Sequence, residues 1–316
     1  MKSTDLYPWL KKISKELLLM PSLPNTLILE GNPGLGKAEL ALDLIQRLLC
    51  QKNSGCEDCQ SCLLFKENTH PEFHLVDLEE NKSFISIDQI RKVIDFMNLT
   101  VSPQAARVVL ILNADRLNKQ AQNGLLKTLE ESSLKKYIYL VANSRNALLP
   151  TIYSRCFVRR IPSPNTSSID AWLSQQGIIN ISANDFPSFY SPKLMKTMVE
   201  SGKSELFRNV LSSLDDLICG RVGIISVQQF FKDLDISFPE KIDLLVQYLL
   251  LKIGTETDFY KPHTKFDSLK KSGSLTLTTS SFVHELLDYK ATLLKIPGLN
   301  EQIGMSYFLN KITRVT

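Results

Sequence analysis

The sequence predicts an α/β domain built on a parallel sheet, followed by a small helical domain and then an all-α domain. Three observations carry this. Short β-rich apolar runs alternate with amphipathic helical stretches through the first half of the chain, the pattern of a parallel sheet covered by helices on both faces. A glycine loop, Gly31-Asn32-Pro33-Gly34-Leu35-Gly36-Lys37, joins the first of those runs to a helical stretch. From about Ser204 onward the pattern is wholly helical.

The elements follow in order. Tyr7-Pro8-Trp9-Leu10 leads into an amphipathic segment. Thr26 to Glu30 reads as a buried strand. Ala38 to Leu49 reads as a helix, with Leu40, Leu44 and Leu48 at spacing four. Further strands are expected at 73–78, 107–112, 137–142 and 156–160, and further helices at 87–98 and 118–131. Ile87, Ile90, Val93, Ile94 and Met97 mark the first of those helices; Ala121, Leu125 and Leu129 are the core positions of the second. Pro162-Ser163-Pro164-Asn165 breaks the chain. Short helices are expected at 169–176 and 192–200.

Apolar stripes then define the last region. Leu206, Phe207, Val210, Leu211, Leu214 and Leu217 form one, with Gly220 as its stop. Ile242, Leu245, Leu249 and Ile253 form a second; Phe282, Leu286 and Tyr289 a third; Ile303, Tyr307 and Ile312 a fourth. The polar stretch Thr255 to Ser281 is expected to be a surface connection. A length of 316 residues suits two or three domains, and the boundaries are set at 1–162, 163–203 and 204–316.

Composition limits the function classes. Hydrophobic residues make up 43% of the chain, enough for globular cores. No apolar stretch approaches the ~20 residues of a membrane span. The opening Met1-Lys2-Ser3-Thr4-Asp5 is not a signal peptide, so a cytoplasmic protein is expected. A net charge of +4 permits contact with DNA without demanding it. No Lys/Arg run is interleaved with aromatics, and Lys270-Lys271 reads as a solvated loop, so tight autonomous DNA binding is not implied.

The glycine loop has the form of a phosphate cradle: Gly31, Gly34 and Gly36 let backbone N–H groups close around an anion, and Lys37 supplies the cation. The metal chemistry is missing. A P-loop enzyme holds magnesium with a Ser/Thr hydroxyl after the lysine and a strand-end carboxylate, and a further group positions water. Here those places hold Ala38, Leu112 and Asn113. Asp115 falls beyond the strand end. No ATP hydrolysis by the chain alone is expected, and nucleotide binding at Lys37 is left open.

Four of the six cysteines, Cys50, Cys56, Cys59 and Cys62, lie within 13 positions. Four thiolates in so short a span suit one tetrahedral zinc ion, structural because no ligand position stays open. His70 and His74 are read as non-ligands, Cys156 as strand material and Cys219 as helix-end material. Disulfides are not expected in a cytosolic chain.

Three strings point to a family. Asn113-Ala114-Asp115-Arg116-Leu117, Asn123-Gly124-Leu125-Leu126-Lys127-Thr128-Leu129-Glu130-Glu131 and Ser154-Arg155-Cys156 together resemble the bacterial clamp-loader family, an AAA+ family that includes the gamma/tau and delta-prime subunits of DNA polymerase III. The resemblance is detailed over residues 7 to about 162 and architectural beyond. It implies a P-loop AAA+ domain, a helical lid, and a collar that joins subunits in a ring. Motor subunits keep the magnesium-binding residues, so the departures at Ala38, Leu112 and Asn113 match the delta-prime branch. By resemblance, Arg155, with Ser154 beside it, reaches the γ-phosphate of ATP-Mg2+ held by a neighbouring gamma/tau subunit. The implied partners are the gamma/tau and delta subunits in a hetero-oligomer, with the sliding clamp and primed DNA met through the complex. The family's zinc module has a longer gap after its first cysteine, which makes Cys50 the weakest ligand assignment. Three other readings stand beside this one: an ATP-binding gamma/tau-like motor, opposed by Ala38 and Asn113; a stand-alone zinc-containing nucleic-acid-binding module, opposed by the lack of a basic aromatic surface; and a small-molecule P-loop kinase, which leaves Ser154-Arg155-Cys156 unexplained.

Overall fold

Five parallel strands hydrogen-bond in the order β2-β3-β4-β1-β5. The computed structural model describes residues 7–80, 82–99, 106–131, 135–144, 146–253, 273–293 and 301–315. The strands are β1 (Thr26–Glu30), β2 (Phe73–Val76), β3 (Arg107–Ile111), β4 (Lys136–Ala142) and β5 (Phe157–Arg160). The helices of the first half are α1 (Lys11–Leu18), α2 (Lys37–Leu49), α3 (Gln60–Lys66), α4 (Ile87–Asn98), α5 (Lys119–Glu130), α6 (Pro150–Tyr153) and α7 (Thr166–Gln175). Every expected strand and helix of this half is present, with bounds shifted by two residues or fewer except at the start of α7.

The central strands of the sheet are buried on both faces. β1 and β3 are buried at every position, as expected for central strands of a parallel sheet. Helix α2 packs on one face through Leu40 and Leu44. Helices α4 and α5 cover the other, where Ile90, Val93, Met97, Ala121, Leu125 and Leu129 meet Ile28, Val109, Ile111, Ile138 and Leu140. Side-chain caps start these helices. The Ser86 hydroxyl accepts the Gln89 N–H while Gln89 accepts the Ser86 N–H, and Asn118 accepts the Ala121 N–H; each such cap is worth about 1 kcal/mol.

The chain divides into two compact units, residues 1–177 with 191–193, and residues 178–190 with 194–316. The second unit is all-α in its described residues. It holds α8 (Pro192–Glu200) from Leu194 on, α9 (Leu206–Ile218), α10 (Ile224–Asp233), α11 (Phe238–Ile253), α12 (Gly273–Leu293) and α13 (Glu301–Val315). Its core joins Phe207, Val210, Leu214 and Leu217 to Phe231, Ile242, Leu245, Leu249, Phe282, Leu286 and Phe308.

Two expectations about this unit are corrected. The stripe on α13 is not Ile303, Tyr307 and Ile312: Ile303 and Tyr307 are 67% and 51% exposed, and Met305, Phe308, Leu309 and Ile312 face the core. Several spacings compatible with a helical face coexist in that segment, and packing selected one. Residues 273–281, expected as part of a surface connection, form the start of α12; Ser and Thr do not forbid a helix when the following turns bury Phe282 and Leu286. The rest of that expected connection, 255–272, lies outside the described residues, as do Met1 to Asp5 and Lys270-Lys271. Among the described residues no helix is long and apolar enough to cross a membrane.

Candidate functional site: a phosphate cradle and an exposed arginine

The cradle follows β1 directly. Gly34 and Gly36 have φ of +71° and +83°, the left-handed region where a side chain costs free energy and glycine does not. Space makes the same demand. A Cβ on Gly36 would stand 2.6 Å from the Tyr7 ring, and one on Gly34 would stand 2.2 Å from the Ser191 hydroxyl oxygen. The N-terminal segment packs against the loop: the Trp9 indole N–H donates to the Leu35 carbonyl at 2.9 Å. Tyr7, Trp9 and Trp172 form an aromatic triad with centroids 5.3 to 5.9 Å apart.

Lys37 is buried, and its amine donates to the Asn32 carbonyl at 2.6 Å, inside its own loop. Burial pulls its pKa down to about 8, against the opposing pull of Asp115 and Glu39. The positions that would hold magnesium carry Ala38, Leu112 and Asn113, so none of the three offers a hydroxyl or carboxylate. Asp115 lies past the end of β3 in a 3-10 turn, Ala114–Arg116, where its carboxylate accepts the Asn143 N–H at 2.9 Å. Amide groups fill out the strand ends. Asn143 donates to the Asn113 side-chain oxygen at 2.7 Å, and Asn113 donates to Asp77 at 2.7 Å. This chain of polar groups across β2, β3 and β4 was not foreseen, because its members are separated by about 30 residues in sequence. The left-handed φ of 49° at Asn113 is the one local signal.

Arg155 sits at the opposite end of the sheet. β1 and β5 run parallel with Leu27 beside Phe157 and Glu30 beside Arg160. Arg155 therefore enters at the start of β1, while the cradle leaves from its end, roughly 13 Å of strand away at ~3.3 Å per residue. The guanidinium, 32% exposed, donates through Nε to Glu130 at 2.6 Å and through Nη1 to the Thr151 carbonyl at 2.8 Å and the Ser154 hydroxyl at 3.2 Å. Glu130 is the last residue of α5, so two of the sequence strings meet in this ion pair. The pair is exposed, and such pairs are worth about 0–1 kcal/mol. Arg159 and Arg160, which follow on β5, are both paired. Arg159 bonds Glu16, and Arg160 donates to the fully buried Glu30 at 3.0 Å.

The cysteines converge. The Sγ atoms of Cys50, Cys56, Cys59 and Cys62 all lie within 4.8 Å of one another. Four sulfurs around one zinc at ~2.3 Å would stand about 3.8 Å apart, so the donor set and its spacing fit such an ion. Cys50 is included despite its short gap. Asn53 and Gly55, between the two, have positive φ of 50° and 65°, and these reversals fold the intervening loop tightly enough to return Cys56 to Cys50; Glu57, just past Cys56, is left-handed too, at 64°. Burial raises the Cys50 thiol, but N–H groups of Cys56, Ser54 and Lys52 outweigh it and bring the pKa down to about 5. The two histidines lie outside the sulfur cluster. His70 accepts the Glu72 N–H at Nδ1, so Nε2 carries the proton and donates to the Ser61 hydroxyl at 2.9 Å; that hydroxyl donates to the Leu49 carbonyl at 2.6 Å. His70 thus braces the module against the end of α2. Helix α2 has 13 residues, which separates Lys37 from the module by about 18 Å at ~1.5 Å per residue. A metal held there would lie remote from the cradle. Cys156 is half-buried, its thiol pushed up to about 11 by burial, and Cys219 is exposed at the end of α9.

Residues 10–165 match the family model described as DNA polymerase III, delta subunit. The DNA polymerase III subunit delta' of Pseudomonas aeruginosa is 33% identical over 174 residues, 54% of this chain and 53% of that protein. That of Yersinia pestis is 34% identical over 176 residues, 54% of this chain and 52% of that protein. Together these matches support a delta-prime clamp-loader subunit. The matched part spans about half the length of these delta-prime relatives. A DNA polymerase III gamma subunit-related protein of Thermotoga maritima superposes with a TM-score of 0.46 at 16% identity, covering 97% of this chain and 99% of that one. Cradle, Ser-Arg-Cys segment and cysteine module all lie inside the family-model match over residues 10–165.

Proposed function

We propose that this chain is a non-motor, delta-prime-like subunit of a cytoplasmic bacterial clamp loader. It stands beside a gamma/tau ATPase subunit, offers Arg155 to the ATP-Mg2+ held there, and with the delta subunit helps load the sliding clamp on primed DNA. The carrying observation is the placement of Arg155. Its guanidinium is held by an exposed ion pair at the end of the sheet opposite the cradle, about 13 Å of strand away. A planar, permanent cation so placed suits the phosphate oxygens of a neighbour. The cradle supplies the complementary half of the reading: with Ala38, Leu112 and Asn113 at the metal positions, turnover belongs to the neighbour. The domain division of this reading is an AAA+ domain over 1–162, a lid over 163–203 and a collar over 204–316 that joins the ring.

Zn2+ is the proposed resident ion, held by Cys50, Cys56, Cys59 and Cys62. It fixes the loop between α2 and α3 and takes no part in phosphate chemistry. Metal analysis should give one zinc per chain, lost together with the order of residues 50–66 in Cys59→Ser; a metal-free, fully folded protein would remove this assignment.

The deciding experiment reconstitutes the complex with the cognate motor and delta subunits and measures DNA- and clamp-stimulated ATP turnover with wild type and Arg155→Ala. An assembled complex with collapsed turnover supports the reading. Unchanged turnover in an assembled complex reduces the chain to a scaffold.

A further inference from the structure

Glu30 is the last residue of β1, one position before the cradle, and it is fully buried. A carboxylate there has to be compensated. Two of its partners, Asn146 and Tyr153, belong to the segment that leads to Arg155, and the third, Arg160, stands beside it on β5. Oε1 accepts the Asn146 N–H at 2.9 Å and the Tyr153 hydroxyl at 2.6 Å; Oε2 accepts Arg160 Nε at 3.0 Å. Burial works to raise its pKa, and these donors overrule it and hold the carboxyl below its ordinary value. At the other end of the same strand, the Thr26 hydroxyl donates to the carbonyl of Arg155 at 2.7 Å. Between these ties, the Leu149 N–H donates to Gln122, a buried residue of α5. Strand β1 therefore grips the segment 146–155 at both ends. Gly31 extends the grip, since a Cβ there would stand 2.6 Å from the Ile161 carbonyl oxygen just past β5.

We propose that Glu30 is a positioning residue for Arg155, acting through Tyr153, and that the base of the cradle serves as the foundation of the arginine segment. This rests on the reading of Arg155 as a trans-acting group. It gives the strand-to-cradle junction a task that does not involve nucleotide. Tyr153 lies two residues before Arg155 in the last turn of α6. With its hydroxyl fixed, the turn 153–156 has one orientation, held by the Ser154 N–H to the Pro150 carbonyl and the Arg155 N–H to the Ile152 carbonyl, both at 3.0 Å. Loosening the tyrosine leaves Arg155 present but spread over several orientations, and small misplacements of a group that stabilises charge are costly.

The test uses Tyr153→Phe, which removes one hydrogen bond and little volume, and Glu30→Gln, which keeps the acceptor and removes the charge. Two readouts are needed. Amide exchange on the isolated full chain reports order in 146–156. A hydrogen bond to a charged group that is lost should raise exchange there about tenfold in Tyr153→Phe. Steady-state turnover of the reconstituted complex reports the consequence: kcat should fall about threefold to tenfold with KM for ATP unchanged. The same substitution in an Arg155→Ala background should cost nothing further. Glu30→Gln should fall between wild type and Tyr153→Phe in both readouts.

Unchanged exchange in Tyr153→Phe overturns the inference. So does faster exchange with wild-type turnover, in a complex that Arg155→Ala does impair, because Glu30 would then be structural only. Additive losses in the double variant overturn it as well. Wild-type turnover in Arg155→Ala removes the reading of Arg155 itself and this inference with it, a result distinguishable from the others because the Tyr153 variants play no part in it.

Discussion

The cradle and the arginine segment hang from opposite ends of one strand, and they have had opposite fates. The cradle keeps its backbone geometry: two glycines at positive φ, a helix starting at Lys37, and a wall of Tyr7 and Ser191 that excludes any Cβ. Its magnesium positions carry no hydroxyl or carboxylate, and the lysine amine is turned back onto Asn32. The arginine segment is fixed through Glu30, Thr26 and Gln122, while the guanidinium it carries is held by a surface ion pair with Glu130 and by local hydrogen bonds to Thr151 and Ser154. Holding a backbone and holding a ligand are separable tasks for different atoms. The first survives where neighbouring elements depend on it, as the segment 146–155 depends on Glu30.

The largest test of this contrast sets the two cations against each other. In a reconstituted complex, Arg155→Ala should lower ATP turnover by on the order of 10³, whereas Lys37→Ala should leave it unchanged. Loss from both variants alike, measured as steady-state hydrolysis, would break the comparison. A smaller effect concerns the buried amine. The Lys37 pKa is about 8 when folded against an ordinary 10.5. Between those values the unfolded chain binds the extra proton, so wild-type stability rises with pH across the window, and below about pH 8 the cost of burying the charge is fully present. Lys37→Met should therefore melt higher than wild type at pH 7, and its advantage should shrink from pH 8 to 10.5. A constant difference in Tm across that range would show that Lys37 titrates normally.

Weaker still is the surface pair. Glu130→Ala should change stability by no more than about 1 kcal/mol, as for exposed pairs generally, and should leave the arginine free to act; a loss of turnover comparable with Arg155→Ala would make Glu130 part of the machinery. The smallest expected effect is none. Ala38→Ser restores one magnesium ligand but not the carboxylate absent at Leu112 and Asn113, so the isolated chain should show no metal-dependent hydrolysis. Turnover in that single variant would mean the cradle is one substitution from function.

Local pattern carried much of this molecule. Apolar runs located the central strands β1 and β3, because a strand buried on both faces has to be largely apolar, whereas the edge strand β5 carries two arginines and is partly exposed. The cysteine spacing located the sulfur cluster, since loop closure over so few residues leaves few arrangements. Where many faces were chemically equivalent, pattern was not enough: on α13 the choice between Tyr307 and Phe308 belonged to the packing of its neighbours.

By itself the sequence determined the α/β order, the helical second half, the loss of the metal ligands and the resemblance carried by three short strings, all properties of residues close together in the chain. Only the tertiary structure decided that Arg155 and the cradle stand at opposite ends of the sheet, that Glu130 pairs with Arg155, that Asp77, Asn113, Asn143 and Asp115 join across three strands, and that a carboxylate in β1 holds a tyrosine more than a hundred residues away. The physical reason is the same in each case. Polar side chains find partners across space once strands are in register, and a hydrogen bond leaves no periodicity in the sequence from which its distant partner can be read.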